Sequence, residues 1–175
     1  MREVYLDNAS TTPPLPEALD AMSRVARDVF ADPSRLYGGA RVARIELDAA
    51  RAAGADAIGG RPEEIVFTSG GTESCNLAIV AGARAGVAAR KPARIVVSAV
   101  EHTAVLEAAR SLDGFEVVEV PVDATGTVDL EALRSVLSGG AALVSIQHAN
   151  QEVGTIQPVA EAAALAREAG AIVHT

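Results

Sequence analysis

Residues 64–76 read EIVFTSGGTESCN, and this short stretch decides which fold the chain is expected to adopt. Its first part is rich in β-branched and aromatic residues, which is typical of a strand. It leads into an alanine-rich run that is typical of a helix, LAIVAGARAGVAARK at 77–91. The main-chain N–H groups at a helix start lack intrahelical partners, and the helix dipole makes that end positive. Because glycines let an anion approach those groups, the junction predicts a site for a phosphate or a carboxylate.

A second interpretation of this junction needs no ligand. Serine or threonine near a helix start, with a glutamate close by, often caps the helix by itself. The glycine pattern also differs from two well-known phosphate loops. It lacks the Gly-Lys-Ser/Thr of a P-loop and the spaced glycines of a dinucleotide site. From this stretch alone, an anion site and a simply capped helix both remain open.

On both sides of the junction, the sequence alternates between strand-like and helix-like segments. Apolar runs rich in valine and isoleucine predict strands at 64–68, 94–98, 115–120, 142–146 and 171–174. Helical spacing and alanine-rich composition predict helices at 17–30, 40–58, 73–90, 103–112, 129–137 and 158–169. A turn-rich loop is expected at 121–129. This alternation predicts an α/β fold with three α/β/α layers around a mainly parallel sheet.

The overall composition limits the class of protein. The chain has 175 residues, of which 49% are hydrophobic, so it is long enough and apolar enough to bury a core. Its net charge of −8 argues against a nucleic-acid partner and against an acidic membrane surface. One cysteine excludes an intrachain disulfide, and no apolar run reaches the length of a membrane helix. With no signal-peptide pattern at its start, the protein is expected in the cytoplasm.

The three histidines of the chain all follow or end predicted strands. His102 follows the second predicted strand, His148 follows the fourth, and His174 ends the fifth. Because ligands of open parallel sheets bind beyond the carboxyl ends of the strands, this placement predicts a functional site there. A catalytic zinc held by three histidines is the alternative. No histidine pair has tight ligand spacing, and zinc would leave the glycine junction unexplained, so no metal site is predicted.

Five motifs, in chain order, resemble those of the cysteine desulfurases: YLDNASTT at 5–12, FTSGGTESCNLAI at 67–79, SAVEHTAVLEA at 98–108, QHANQEVGTIQP at 147–158 and GAIVHT at 170–175. These enzymes belong to the class V aminotransferases and have the fold-type I architecture of pyridoxal-phosphate enzymes. The form SGGTES is similar to the desulfurases of iron–sulfur cluster and nitrogenase maturation. The resemblance implies that residues 1–16 form an amino-terminal segment near the small domain and the active site. It implies that residues 17–175 form a partial cofactor-binding large domain, truncated at its carboxyl end.

The resemblance implies pyridoxal 5'-phosphate as the cofactor and assigns four residues to it. Gly71 and Thr72 hold the phosphate, His102 stacks on the pyridine ring and assists proton transfer, and Asn150 hydrogen-bonds the phenolic oxygen. The implied reaction converts L-cysteine to L-alanine and leaves a persulfide on an enzyme cysteine, with the cofactor as electron sink. The implied partners are a sulfur-acceptor or scaffold protein of iron–sulfur cluster assembly and, for the complete enzyme, a second copy in a homodimer.

Several groups that the family reaction needs have no counterpart in these 175 residues. The resemblance places the lysine that carries the cofactor, the catalytic cysteine and the substrate-binding arginine beyond Thr175. The single lysine, Lys91, precedes the strand at 94–98 and so lies roughly 15 Å from the carboxyl edge of the sheet. We therefore expect the chain by itself to be inactive as a desulfurase. Three alternatives stay open: a naturally short half of a split enzyme, a non-catalytic binding protein, and another class V enzyme such as selenocysteine lyase.

Cys75 departs from the family pattern, in which aspartate or asparagine is usual at this position. It lies close to the predicted start of a helix, where the helix dipole favours a thiolate. A small buried cysteine is nevertheless the expected role, because the catalytic cysteine of the family lies far downstream.

Overall fold

The computed structural model describes residues 4–175, and within them the chain divides into two compact units, residues 4–67 and 68–175. The amino-terminal segment 1–16 and the large domain 17–175 remain a prediction. Residues 1–3 of that segment lie outside the described residues. None of the described helices is both long enough and apolar enough to cross a membrane.

The first unit contains the two helices that the sequence predicts for it. α1 (Pro16–Asp28) begins at a proline, whose fixed φ suits the first helical turn. α2 (Gly38–Ile58) ends where Gly59 takes the left-handed conformation, with a φ of 70°. Arg24 and Glu46 join the two helices through an ion pair of 2.9 Å. Because this pair is exposed to solvent, it adds little to the stability of the unit.

The strand predicted at 64–68 is absent, and that prediction is wrong. Pro62–Glu64 form a single 3₁₀ turn, and residues 65–68 belong to neither a helix nor a strand. Val66 and Phe67 are 68% and 54% exposed. A strand is stabilised by main-chain pairing with a neighbouring strand. Within the described part of the chain these residues pair with none, so their β-branched composition alone does not make them a strand.

The second unit is built around a four-stranded parallel sheet. Its strands lie in the order β2-β1-β3-β4. They are β1 (Arg94–Ser98), β2 (Glu116–Val120), β3 (Leu143–Ser145) and β4 (Ile172–His174). All three strand pairs are parallel, and at the carboxyl edge Val97 lies beside Ser145, which lies beside His174. The prediction of a mainly parallel sheet is therefore confirmed for four of the five predicted strands.

Helices cover both faces of this sheet, because parallel strands need crossover connections. They are α3 (Gly71–Ala88), α4 (Thr103–Arg110), α5 (Leu130–Leu137) and α6 (Val159–Glu168). One core includes Ile95 and Leu143 together with residues of α3 and α4. The other includes Val96 and Val144 together with residues of α5 and α6. Alternate residues of each strand thus face opposite cores, and the predicted three-layer α/β/α fold is confirmed.

α3 lies directly on the sheet because its contact face carries glycines. A Cβ atom built on Gly86 would lie 2.7 Å from both Cα and Cβ of Ala142, just before β3. The same construction on Gly82 gives 3.1 Å to Cδ1 of Leu143. The main chain of Ala142 cannot move aside as a flexible side chain can. Gly86 therefore sets how closely α3 approaches the sheet.

Candidate functional site

The strand order places two loops side by side at the carboxyl edge of the sheet. The chain leaves β1 towards β2 on one side, whereas β3 lies on the other side of β1. In open α/β sheets, ligands bind in the crevice that such a reversal creates. Residues 99–102 follow β1 and residues 146–150 follow β3, so these loops flank the crevice. His102 lies on the first loop and Asn150 on the second.

The glycine junction forms the start of α3. The helix begins at Gly71, after Gly70 in an extended conformation, and its first hydrogen bond runs from the N–H of Ser74 to the carbonyl of Gly70 at 3.1 Å. Among residues 4–175, no acceptor bonds to the N–H groups of Gly71, Thr72 or Glu73. A Cβ atom built on either glycine would meet nothing within 4 Å. The helix start therefore presents unpaired N–H donors to open space.

One carboxylate at this helix start turns back onto the preceding turn. Oε2 of Glu73 accepts two hydrogen bonds of 2.6 Å, from the hydroxyl and from the main-chain N–H of Ser69. These bonds lower the pKa of Glu73. Glu73 and Ser69 thus close the turn before the helix, and no side-chain oxygen among the described residues caps the free N–H donors. The N-cap position is Gly70, so a serine or threonine cap at the helix start is not observed.

His102 caps α4, and this role orients its ring. Its Nδ1 accepts a hydrogen bond of 3.1 Å from the N–H of Ala104. Because an accepting ring nitrogen carries no proton, the neutral ring carries its proton on Nε2. The residue is exposed. Nε2 is therefore the ring nitrogen that remains for a ligand or for proton exchange.

Asn150 uses most of its side chain to shape its own loop. Its Oδ1 accepts hydrogen bonds from the N–H groups of Glu152 and Val153, at 2.8 Å and 3.1 Å. Its Nδ2 donates a 3.3 Å hydrogen bond to the carbonyl of Val100. Since an amide nitrogen has two hydrogens, one Nδ2–H remains. A single donor is thus available for the hydrogen bond that the resemblance assigns to this residue.

Two residues for which the sequence predicts no role join the loops across the crevice. Oε1 of Glu101 accepts a hydrogen bond of 2.6 Å from the main-chain N–H of Gln147. Nε2 of Gln147 donates a hydrogen bond of 2.6 Å to the carbonyl of Val100. Glu101 is only 8% exposed. Burial raises the pKa of Glu101 to about 7, although the hydrogen bond from Gln147 opposes that rise.

A buried amide fixes the far end of the loop that carries Asn150. Gln157 is 4% exposed, and both ends of its side chain are hydrogen-bonded. Its Oε1 accepts from the N–H of Val128 at 2.8 Å, and its Nε2 donates to the carbonyl of Gly126 at 2.7 Å. The predicted turn-rich loop at 121–129 is therefore tied to the Asn150 loop. A glutamine in a loop gives no sign in the sequence that its amide is buried.

The other two histidines also lie at the carboxyl edge, as predicted. Nδ1 of His174 lies 2.9 Å from the hydroxyl of Ser145, which is fully buried. Burial lowers the pKa of His174. His148 is exposed, and its main-chain carbonyl accepts a hydrogen bond from the N–H of Gln157. In the part of the chain that the structure describes, no group of three or more His, Cys, Asp or Glu residues is arranged to hold a metal ion.

Lys91 lies at the amino edge of the sheet, as predicted. It stands between α3 and β1, and its ammonium group lies against Gly170, just before β4. Cys75 is a free cysteine on α3 that packs against one of the two cores and keeps part of its surface exposed. Neither residue lies on the loops that flank the crevice.

The structure brings together some of the predicted site residues. Asn150 is hydrogen-bonded to Val100, two residues before His102. Gly71 and Thr72 share no hydrogen bond with either loop among the described residues. Two cavities, of about 510 and 430 Å³, lie in the first unit and are lined by none of the predicted site residues. The cofactor roles of these four residues therefore stay predictions.

The chain matches the family model of the class-V aminotransferases over residues 4–175. It belongs to this family. The cysteine desulfurase IscS of Dictyoglomus turgidum is 44% identical to it over 176 residues, covering 99% of this chain and 44% of that protein. A cysteine desulfurase of Cereibacter sphaeroides is 45% identical over 179 residues, covering 100% of this chain and 46% of the relative.

Solved structures share the fold of this family member. A NifS-like protein superposes with a TM-score of 0.89 at 36% identity, covering 99% of this chain and 48% of that one. The cysteine desulfurase of Thermococcus onnurineus, solved in its apo form, superposes with a TM-score of 0.83 at 29% identity, covering 97% of this chain and 42% of its own. The resemblance to cysteine desulfurases is thereby confirmed. The chain spans a little under half the length of these relatives.

Proposed function

We propose that this chain provides the cofactor-binding part of a pyridoxal-phosphate-dependent cysteine desulfurase. The proposed reaction converts L-cysteine to L-alanine and passes the sulfur to an enzyme cysteine as a persulfide. The observation that carries the proposal is the identity of 44% to a cysteine desulfurase across 99% of the chain. A further match, to a structure described as SspA in complex with cysteine, supports cysteine as the substrate.

The donors at the start of α3 fit the phosphate of the cofactor. An anion needs unpaired N–H groups at the positive end of a helix, and open space in which to approach them. Gly71 and Thr72 have N–H groups with no acceptor among the described residues, and a Cβ built on Gly71 would meet nothing within 4 Å. The hydroxyl of Thr72 adds one more donor beside them. The carboxylate of Glu73 opposes an anion at this helix start, and two hydrogen bonds hold it against Ser69.

His102 and Asn150 fit the aromatic part of the cofactor. His102 is held as the N-cap of α4, so its ring is available as a fixed, exposed plane whose Nε2 remains free to hold or move a proton. Asn150 keeps one N–H for an oxygen acceptor on the ring. When bound, pyridoxal phosphate accepts electron density from the substrate carbon, which no side chain of the protein can do. The protein contributes orientation and proton transfer.

The proposal extends to partners and location. A desulfurase needs an acceptor for its sulfur, so we propose a sulfur-acceptor or scaffold protein of iron–sulfur cluster assembly as a partner. A second copy of the complete enzyme, forming a homodimer, is part of the same proposal. We also propose the cytoplasm as its location, since a single cysteine suits a reducing compartment.

A titration with pyridoxal phosphate tests the proposed cofactor site. Binding to the 175-residue chain is followed by the absorbance of the pyridine ring, with inorganic phosphate as competitor. Thr72→Ala should weaken binding about tenfold, because it removes a hydrogen bond to a charged group. Ser135→Ala, which removes an exposed hydroxyl from α5, serves as the matched control. Equal affinity of both variants for the cofactor would contradict the assignment of Thr72.

The same preparation tests whether the chain is catalytic by itself. We expect no alanine from cysteine and pyridoxal phosphate above the rate of the cofactor alone. The reason is that Lys91, the single lysine, lies at the amino edge of the sheet, away from His102 and Asn150. Alanine production above that background would overturn this expectation, while leaving the proposed cofactor site in place.

A further inference from the structure

The crevice loops are joined by three hydrogen bonds, one to the carboxyl of Glu101 and two to the carbonyl of Val100. The carboxyl of Glu101 accepts from the N–H of Gln147 at 2.6 Å. The neighbouring carbonyl of Val100 accepts from the side-chain amides of Gln147 and Asn150, at 2.6 Å and 3.3 Å. We propose that Glu101 is a positioning residue that fixes the Asn150 loop against the His102 loop. This inference rests on the proposed function for its consequence, but not for its geometry.

Because Glu101 is buried, loss of this hydrogen bond would destabilise the contact between the two loops. Glu101 is 8% exposed, and a polar group removed from water is destabilising unless it is hydrogen-bonded. Its partner is a main-chain N–H on the other loop, 46 residues away along the chain. That N–H would itself be left without an acceptor if the carboxyl were removed. The bond therefore fixes the distance between the two main chains.

The position of Glu101 in the sequence links it to both predicted ring-binding residues. It directly precedes His102, whose ring is fixed by its cap on α4. Its partner Gln147 lies three residues before Asn150, whose amide reaches back to the same loop. A displacement of Gln147 would therefore shift Asn150 relative to His102. Among the described residues, the Glu101 carboxyl makes no hydrogen bond to the side chain of His102 or Asn150, so its role is to position them.

The alternative is that Glu101 merely fills space beneath the crevice. The two roles make opposite predictions for two substitutions. Leucine has a similar volume but no acceptor, so Glu101→Leu keeps the packing and removes the hydrogen bond. Glutamine keeps an acceptor oxygen, so Glu101→Gln keeps the bond. Under the space-filling role, the leucine variant would be at least as well ordered as the wild type.

Amide hydrogen exchange of the 175-residue chain, measured by NMR without any cofactor, tests the proposal. In the wild type, the N–H of Gln147 should exchange at least about tenfold more slowly than that of an exposed loop residue. Glu101→Leu should speed its exchange by about tenfold and shift the side-chain amide signals of Asn150. Glu101→Gln should restore both. Glu131→Leu is the matched control, because Glu131 is a highly exposed glutamate on α5.

Two results would overturn the proposal. The first is fast exchange at Gln147 in the wild type, which is decisive even if the leucine variant does not fold. The second is a leucine variant with unchanged Gln147 exchange and unchanged Asn150 signals. Titration of the same samples with pyridoxal phosphate separates the two ideas. A wild type that does not bind the cofactor contradicts the proposed function and leaves the exchange result, and hence the positioning role, intact.

Discussion

Replacing Glu101 with glutamine should flatten the dependence of stability on pH. In the folded chain the pKa of Glu101 is raised from 4.5 to about 7 because the carboxyl is buried. The folded state therefore favours the neutral form, and this contribution is complete below about pH 4.5. It is lost as the pH rises through about 7. A difference of about 2.5 pH units at about 1.4 kcal/mol each gives a loss of at most about 3–4 kcal/mol.

Urea unfolding at several pH values between about 4 and 8.5 measures this effect. The wild type should lose up to about 3–4 kcal/mol of unfolding free energy, relative to Glu101→Gln, across that range. His174 acts in the opposite direction, because burial lowers its pKa, but it is present in both proteins and cancels in the difference. Glu131→Gln, at a highly exposed glutamate of α5, controls for the chemical change itself. If Glu101→Gln shows the same pH dependence as the wild type, Glu101 does not titrate as a buried carboxyl and the reasoning fails.

Three further predictions concern the scaffold, and urea unfolding checks each. Gly86→Ala should destabilise the chain by about 1–3 kcal/mol or more, since its Cβ would lie 2.7 Å from main-chain and side-chain atoms of Ala142. The control is Gly38→Ala, because a Cβ built on Gly38 meets nothing within 4 Å. Equal losses of unfolding free energy in the two variants would contradict this prediction. Gln157→Leu should lower the free energy of unfolding by about 2–4 kcal/mol, because it leaves two main-chain groups without partners. An unchanged free energy of unfolding would mean that the Gln157 amide does not stabilise the contact between the two loops. Asp129→Ala should cost about 1 kcal/mol, because Asp129 caps α5 through two N–H groups; an unchanged midpoint would mean that the cap contributes nothing.

The α/β layers could be predicted from the sequence because their signals are local. β1 carries a buried apolar run, and the helices between strands carry apolar residues at helical spacing. Each observed boundary lies within about two residues of its predicted position. The segment at 64–68 has the same local composition as the true strands. It lacks a pairing neighbour, and composition cannot supply one.

The site was predictable only in part, for a related reason. His102 and Asn150 stand out because they follow strands, and strand ends can be read from the sequence. The contacts of Glu101 and Gln157 join residues 46 and 29 positions apart. Such contacts arise from tertiary packing, as does the burial that makes them important. A polar residue in a loop carries no sign of either until the fold is known.

Because α3 is rigid and contacts the sheet closely near its carboxyl end, a change at that contact also moves its amino end. Its 18 residues span about 27 Å, and Gly86 lies about 22 Å from Gly71 along the axis. The contact with Ala142 lies near the carboxyl end of α3, at the amino edge of the sheet, and the free N–H donors lie at the other end of the helix. A methyl group added at Gly86 would push this part of α3 away from Ala142 and tilt the whole helix. We then expect the affinity of the proposed phosphate site at Gly71 and Thr72 to change without any substitution near it.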